Sequence, residues 1–384
     1  MKMIRRWVSM LLCACFLLRM LPCYANAEEA LPFDVDALAA VLMDAESGTI
    51  LYSKNGQEAL PPASVTKVMT LLLLMEAIDE GRLSLSDTVR VSEYAASMGG
   101  SQVYLEPNEE MSVEDLLKSV VVSSANDAAV ALAEKIAGSE DAFVALMNSR
   151  ASELGMKNSC FENVTGLDDD TKRHLLSAED IAIMSRELLK HEKILDYTTI
   201  WMDTIRNGAF GLSNTNRLIR FYSGATGLKT GSTSKAKFCI SATAKRDGMH
   251  LIAVIMGAPG RDARNEAAKK LLDWGFANYA VYKNPAGTVG DVPVVGGLDT
   301  SCGAEYGDFS ALLKKGEERN VVFEVVLPEI LSAPVRAGDS IGQILYRIGD
   351  RVIASADIIA SETIEKMRFG DVLAEMIKSF LLRK

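Results

Sequence analysis

Ser64 and Lys67 stand three residues apart in PPASVTKVMT, residues 61–70, where two prolines give way to an apolar run with helical spacing. Residues i and i+3 of a helix share a face, so the pair sets a hydroxyl beside an amine. The amine can take the hydroxyl proton only when neutral, and at its ordinary pKa about one lysine in 2,500 is neutral at pH 7. Lowering that pKa by about 3 units corresponds to about 4 kcal/mol, which burial and a second nearby cation can supply. The free backbone N–H of Ser64 at a helix start can meet an oxyanion. The chemistry is acyl transfer through a serine. The plain alternative is an N-cap serine with a solvated lysine. S-x-x-K also occurs at Ser232 and Ser234, but only Ser64 stands at a helix start after Pro-Pro.

Two further clusters fit the same chemistry. Ser124-Ala-Asn126 lies in a short loop between helical stretches. Its hydroxyl can relay a proton to a leaving amine, and its amide can hold the lysine and a substrate peptide group. Its plain alternative is a helix-capping Asn. Lys229-Thr230-Gly231, in GATGLKTGSTSKAKFC, precedes or opens a strand. Lysine and threonine can bind a carboxylate, and glycine lets a substrate backbone approach closely. The order S-x-x-K, S-x-N, K-T-G, at helix start, loop and strand, is the constellation of serine enzymes acting on D-alanyl peptides and β-lactams. It needs no histidine if Lys67 is the base.

The elements that must position these residues are legible in outline. Leu38 to Met43 and Thr49 to Tyr52 read as a β-hairpin, and Ser64 to Glu80 as a helix. Ser112 opens a helix through Leu117 with a capping box, and further helices are expected over Asp127 to Ile136, Glu140 to Leu154 and Ala178 to Leu189. Lys237 to Ala244 and His250 to Gly257 form a hairpin around Lys245-Arg-Asp-Gly248, and Asn265 to Tyr279 a helix. Beyond Asn284-Pro285 short β-like runs, Val289 to Val295, Val321 to Leu327, Ser340 to Ile348 and Val352 to Ile359, suggest a small β-sandwich. From Glu362 to the end the pattern is helical again.

Composition narrows the function. The first 27 residues join a basic start, an apolar run and Ala25-Asn26-Ala27, the plan of a cleaved secretory signal peptide, so export is expected. The chain carries formal charge −10, and −14 without the four basic residues of that leader, which argues against nucleic acid as a partner. Cys160, Cys239 and Cys302 remain in the mature chain with no disulfide framework, and His174, His191 and His250 show no metal-ligand spacing. No metal and no cofactor are expected.

With these blocks in order, the sequence resembles the low-molecular-mass penicillin-binding proteins, serine-type D-alanyl-D-alanine carboxypeptidases. PPASVTKVMT, VYLEPNEEMSVEDLL, VVSSANDAAVALAE, FENVTGLDDD, GLKTGSTSKAKFCISATAKRDG and EAAKKLLDWGF carry the resemblance from about Leu38 to the C-terminus. It implies an α+β fold of several domains: signal peptide 1–27, catalytic domain 28–283 with an antiparallel sheet flanked by helices and a helical subdomain, β-sandwich 284–361 and amphipathic helix 362–384. It implies Ser64 as nucleophile, Lys67 as base, and Ser124 and Asn126 as assistants in proton transfer. Substrate would meet Lys229, Thr230, Gly231 and Ser232, with the N–H groups of Ser64 and Ser232 as oxyanion hole. Arg217 and Arg264 match family arginines at the carboxylate end, and His174 the family histidine after an acidic insert. The implied substrates are peptidoglycan stem peptides ending in D-Ala-D-Ala, with β-lactams as acylating inhibitors.

Two other functions compete. A class A-like β-lactamase shares the three motifs but needs an E-x-x-L-N loop, whose nearest match is Glu192-Lys-Ile-Leu-Asp196. A non-catalytic wall-binding module would not need the catalytic side chains. At the C-terminus Phe369, Val372, Leu373, Met376, Ile377, Phe380 and Leu381 cover about half of a helix. With a net +2 over residues 363–384, that segment is expected to lie along a membrane surface on the outer face of the cytoplasmic membrane.

Overall fold

The computed structural model describes residues 33–168 and 171–381. The leader, Asp169 and Asp170 of the acidic insert, and the last three residues lie outside them. Asp36 onward forms one compact unit.

The strands are β1 (Ala39–Asp44), β2 (Ile50–Lys54), β3 (Thr88–Arg90), β4 (Glu110–Ser112), β5 (Met202–Ile205), β6 (Phe210–Ser213), β7 (Ala225–Thr233), β8 (Lys237–Arg246) and β9 (Met249–Ala258). β1, β2 and β7 to β9 make an antiparallel sheet in the order β2-β1-β9-β8-β7. Alternation gives this sheet two buried faces. Val41, Met43, Ile252 and Val254 enter the core shared with helix α1 (Lys67–Asp79). Leu42 and Leu251 face the other way, toward Gly275 of helix α2 (Arg261–Asn278). The unbroken apolar runs of β1 and β9 follow from that double cover.

The helical part is built as the capping signals imply. Ser112 accepts the Asp115 N–H at the start of Val113–Val122, and Ser177 accepts that of Asp180 at the start of Ala178–Leu189. Asn126–Ala137 and Glu140–Glu153 are helices at the expected places.

Beyond α2 the chain turns to β-structure sooner than the composition change at Asn284 suggests. α2 ends at Asn278, and β10 (Tyr279–Asn284) pairs antiparallel with β13 (Phe309–Lys314). β11 (Gly287–Val295), β12 (Ser301–Tyr306), β14 (Val321–Val326), β15 (Leu331–Ser332), β16 (Ser340–Ile348) and β17 (Arg351–Ala360) form a second sheet, ordered β14-β16-β17-β12-β11-β15. Tyr282, Phe309 and Tyr346 join the β10–β13 pair to that sheet, with the Phe309 and Tyr346 rings stacked at 3.8 Å.

The helix expected from Glu362 begins only at Phe369 and runs to Leu381. Residues 362–368 instead strap the sheet. Ile364 is fully buried and bridges to Val335, and the Met367 N–H reaches the Gly296 carbonyl. Burial of one isoleucine and pairing of its backbone override the local helical pattern.

Candidate active site

Ser64 does not open an α-helix. It sits, half-buried, on a 3-10 turn over Ala63–Thr66, and α1 starts at Lys67. Proline fixes the chain ahead of the turn, and Ala63 enters it with φ +48°. The turn still brings Ser64 and Lys67 together: the Lys67 Nζ lies 3.0 Å from the Ser64 Oγ. Of the three S-x-x-K matches only this one joins serine to lysine. Lys235 donates to the Asp168 carbonyl instead, and Lys237 is exposed at the start of β8.

The Lys67 amino group is fully buried and has two more partners, the Asn126 Oδ1 at 2.6 Å and the Thr165 carbonyl at 2.9 Å. Both are pure acceptors, because the Asn126 Nδ2 donates to the Gly99 carbonyl at 2.7 Å and so assigns the amide's orientation. A neutral amine has two N–H bonds and one lone pair. Asn126 and Thr165 take the two N–H bonds, which leaves the lone pair aimed at the one partner able to donate, the Ser64 hydroxyl. Burial holds the Lys67 pKa well below its ordinary value, and the nearby Lys229 lowers it further while Asp127 opposes them. Burial and a second cation are the two causes the sequence demanded.

Lys229, Thr230 and Gly231 lie in the middle of β7 rather than at its start, opposite Ser241, Ile240 and Cys239 of β8. β7 is the edge strand of its sheet, so its outer side is unpaired there. A methyl on Gly231 would stand 2.8 Å from the Ser64 nitrogen and 2.9 Å from the Pro62 carbonyl oxygen, so only glycine lets β7 approach the nucleophile turn this closely. Thr230 donates to the Thr215 hydroxyl, and the Thr215 N–H reaches Val122, tying β7 to the helix that ends before Ser124. Lys229 is buried with its Nζ on the Thr230 carbonyl, and burial and the Arg264 charge bring it down to about 7.

Ser124 is 4% exposed with φ +62°, and among the described residues its hydroxyl bonds to neither Ser64 nor Lys67. Arg217 is exposed, two residues past Thr215, with its guanidinium 5.7 Å from the Phe221 ring. Ser232 follows the glycine on β7, exposed and opposite Phe238. Arg264 departs from the substrate-binding place expected for it. It is 3% exposed on α2, donating to Asn265 and to the carbonyl of Cys239, the residue opposite Gly231. From there it acts on Lys229 as a charge rather than on a ligand by contact. Glu192, the start of the lactamase-like string, lines a separate cleft of about 1030 Å³ with Asp44, Lys245 and Lys283, away from Ser64.

Three supports lie outside the three motifs, and only the last of them, His174, is expected from the family resemblance. The Thr165 carbonyl is one. Asp127 is another: its carboxylate takes the N–H groups of Val103 and Leu105, while the Asn126 N–H takes the Ser101 carbonyl, so the two residues clamp segment 99–105 beside the site. The third is His174, whose Nδ1 accepts the Glu162 N–H. Its Nε2 must therefore carry the proton, which it donates to the Thr66 Oγ1 at 2.8 Å, and Thr66 donates onward to the Ala63 carbonyl. The acidic insert leaves this chain intact, with the Asp168 carboxylate receiving the Thr233 hydroxyl.

Burial pushes His174 down to about 4, and His250 likewise. Both are neutral in the folded chain at pH 7 and titrate near 6.5 when unfolded. The unfolded state therefore gains protons first as pH falls from about 6.5 to about 4, and stability is lost across that window, by about 3 kcal/mol for His174. Urea midpoints at pH 7 and 4.5 measure this. His174→Asn should flatten the decline; an equal slope in that variant would remove His174 as a cause.

Residues 25–260 match the family described as D-alanyl-D-alanine carboxypeptidase, and residues 287–366 match the penicillin-binding protein 5 C-terminal domain. The chain is 45% identical over 342 residues to the D-alanyl-D-alanine carboxypeptidase DacF of Bacillus subtilis, covering 87% of each. Its fold is similar to penicillin-binding protein 5 of Haemophilus influenzae, with TM-score 0.76 and 32% identity over 88% of this chain and all of that one. It is also similar to ampicillin-bound penicillin-binding protein D2 of Listeria monocytogenes, with TM-score 0.59 and 32% identity over 64% of this chain and all of that one.

Proposed function

The chain belongs to the D-alanyl-D-alanine carboxypeptidase family, and from that premise we propose that Ser64 cleaves the terminal D-alanine from peptidoglycan stem peptides through an acyl-enzyme. The observation that carries the assignment to Ser64 is the lone pair of Lys67, left facing the hydroxyl by its two acceptor partners. Lys67 takes the Ser64 proton as Oγ attacks the carbonyl carbon of the penultimate residue. The N–H groups of Ser64 and Ser232 hold the oxyanion, which Gly231 lets β7 bring close. As the C–N bond breaks, the leaving amine receives the proton by way of Lys67 and Ser124. Water then adds to the ester, and Lys67 serves again as base. Lys229, with its proton, and Arg217 supply positive charge for the terminal carboxylate. A β-lactam enters the same steps and stops at the ester.

Incubation with a peptide ending in D-Ala-D-Ala should release free D-alanine. Benzylpenicillin should leave its adduct on the peptide that contains Ser64. An adduct on the peptide with Ser232 and Ser234 would sink the assignment.

The leader and the C-terminal helix support an exported enzyme held at the outer face of the cytoplasmic membrane. In Phe369–Leu381 the residues Phe369, Leu373 and Ile377 are 84%, 48% and 53% exposed, an apolar surface open to solvent. No helix among the described residues is long and apolar enough to cross a membrane. A helix lying in the interface fits both facts. Truncation after Arg368 removes the helix and spares the Ile364 strap. It should move the protein from the membrane to the soluble fraction with D-alanine release unchanged. Retention on the membrane by the truncated chain overturns the anchor.

A further inference from the structure

β14 is an edge strand with one charge as its sole protection. It bonds to β16 on one side only, and five of its six residues, VVFEVV, are apolar. Val322, Phe323, Val325 and Val326 are 59%, 48%, 40% and 46% exposed. The strand contains no proline, glycine or lysine. The opposite edge of the same sheet, β15, is only two residues long. Short, charged or proline-bearing edges are how chains avoid pairing with other chains, and β14 is long, apolar and open. Its one charge, Glu324, is already matched by Arg347 of β16 at 3.0 Å.

We infer that β14 pairs antiparallel with β14 of a second copy of this chain, about a two-fold axis centred on Phe323. A two-fold normal to the sheet keeps each face continuous, so residues of like parity must oppose one another. Two registers satisfy this near the strand's middle. Centring on Glu324 sets two carboxylates directly opposite, which is destabilising. Centring on Phe323 sets Phe323 against Phe323, Val321 against Val325 and Val322 against Glu324 of the second copy. In that register each glutamate faces a valine and keeps its own Arg347. The Phe323 ring is on the Tyr346 side of the sheet, 6.4 Å from that ring at the rim of the sandwich. Two such rings would cover each other across the axis. The identical strand thus completes both faces without leaving a charge unmatched, which identifies the occupant as a second copy.

Paired strands place opposite Cβ atoms about 5 Å apart, within reach of a disulfide. Phe323→Cys should therefore cross-link to itself on oxidation. Val325→Cys, whose two copies would lie about 14 Å apart, should not. A mixture of Val321→Cys and Val325→Cys chains should give the mixed dimer. Cys239 and Cys302 are buried and Cys160 half-buried, and the unsubstituted chain supplies the background. Sedimentation at roughly 100 µM suits an interface smaller than the ~1,200 Å² of standard complexes. There the full mature chain should show dimer, and Phe323→Lys and Val325→Lys should both sediment as monomer with unchanged circular dichroism. Association that survives in both lysine variants belongs to the C-terminal helix and overturns the proposal. So does a monomer at that concentration, or a cross-link at Glu324→Cys as strong as that at Phe323→Cys.

Discussion

Lys67→Arg should cut the rate of acylation by benzylpenicillin by about a thousandfold or more, the scale of a lost general base, although the positive charge is kept. Arginine stays protonated across the working pH range and offers donors only, so it has no lone pair for the Ser64 proton. The site also has no place for the larger head. Lys67 is fully buried, and its three partners converge at 3.0, 2.6 and 2.9 Å on a single nitrogen, not on a planar fork. The measurement is the time course of covalent labelling, with thermal unfolding as the control for folding. Labelling at near the normal rate would remove Lys67 from the mechanism. Lys229→Met separates the base from its tuning. Loss of that cation raises the Lys67 pKa, because the Lys229 charge helps to hold it down. The acid limb of the labelling rate should then move to higher pH, and the whole profile should fall as well, because the same side chain serves the penicillin carboxylate.

What was legible in the sequence was carried by side-chain type at fixed spacing. Ser64, Lys67 and Asn126 were found because a hydroxyl, an amine and an amide each announce one chemical act, and the structure brings the three within bonding distance. The Thr165 carbonyl was not, because every residue has one and only the fold chooses which is used. Nor was the 3-10 turn under Ser64. Ten residues of Lys67–Asp79 are buried, nearly all round the helix, so hydrophobic periodicity has no face with which to mark where the turn ends. Arg264 is expected at the carboxylate end only through the family resemblance, and nothing local reveals that it lies 3% exposed over the Cys239 carbonyl.

The β-rich part was half legible. β16, whose bounds match, and β14 and β17, close to them, announced themselves by Val and Ile. β12, SCGAEY, has none of these residues and was missed. β10 follows α2 with no proline or glycine between them, so the local pattern carries the helix one residue too far and hides the strand. These failures sit where tertiary pairing decides and local propensity does not.

Gly166→Ala should damage fold and chemistry together, because one close contact serves both. Gly166 has φ +81°, and an added methyl would lie 1.8 Å from the Ala63 carbonyl oxygen and 2.7 Å from the Thr66 Oγ1. Neither side can yield cheaply. The glycine's loop is held by the Asn163 Oδ1, which accepts the N–H groups of Thr165 and Gly166, and its withdrawal would take the Thr165 carbonyl from Lys67. If Ala63 withdraws instead, the neighbouring Ser64 moves away from β7 and the Thr66–His174 chain breaks. Strained backbone plus overpacking costs roughly 3–5 kcal/mol, a fall of roughly 10 °C in Tm for a chain of this size. Acylation should fall by at least an order of magnitude in the fraction still folded, since either escape breaks a contact of the Ser64–Lys67 pair. Gly155→Ala separates conformation from contact. That glycine has φ +75° with nothing within 4 Å of the added methyl, so the variant should lose only about 1–2 kcal/mol and acylate normally. Equal losses of stability and rate in the two variants would show that the left-handed backbone alone matters and that the Ala63 contact does not.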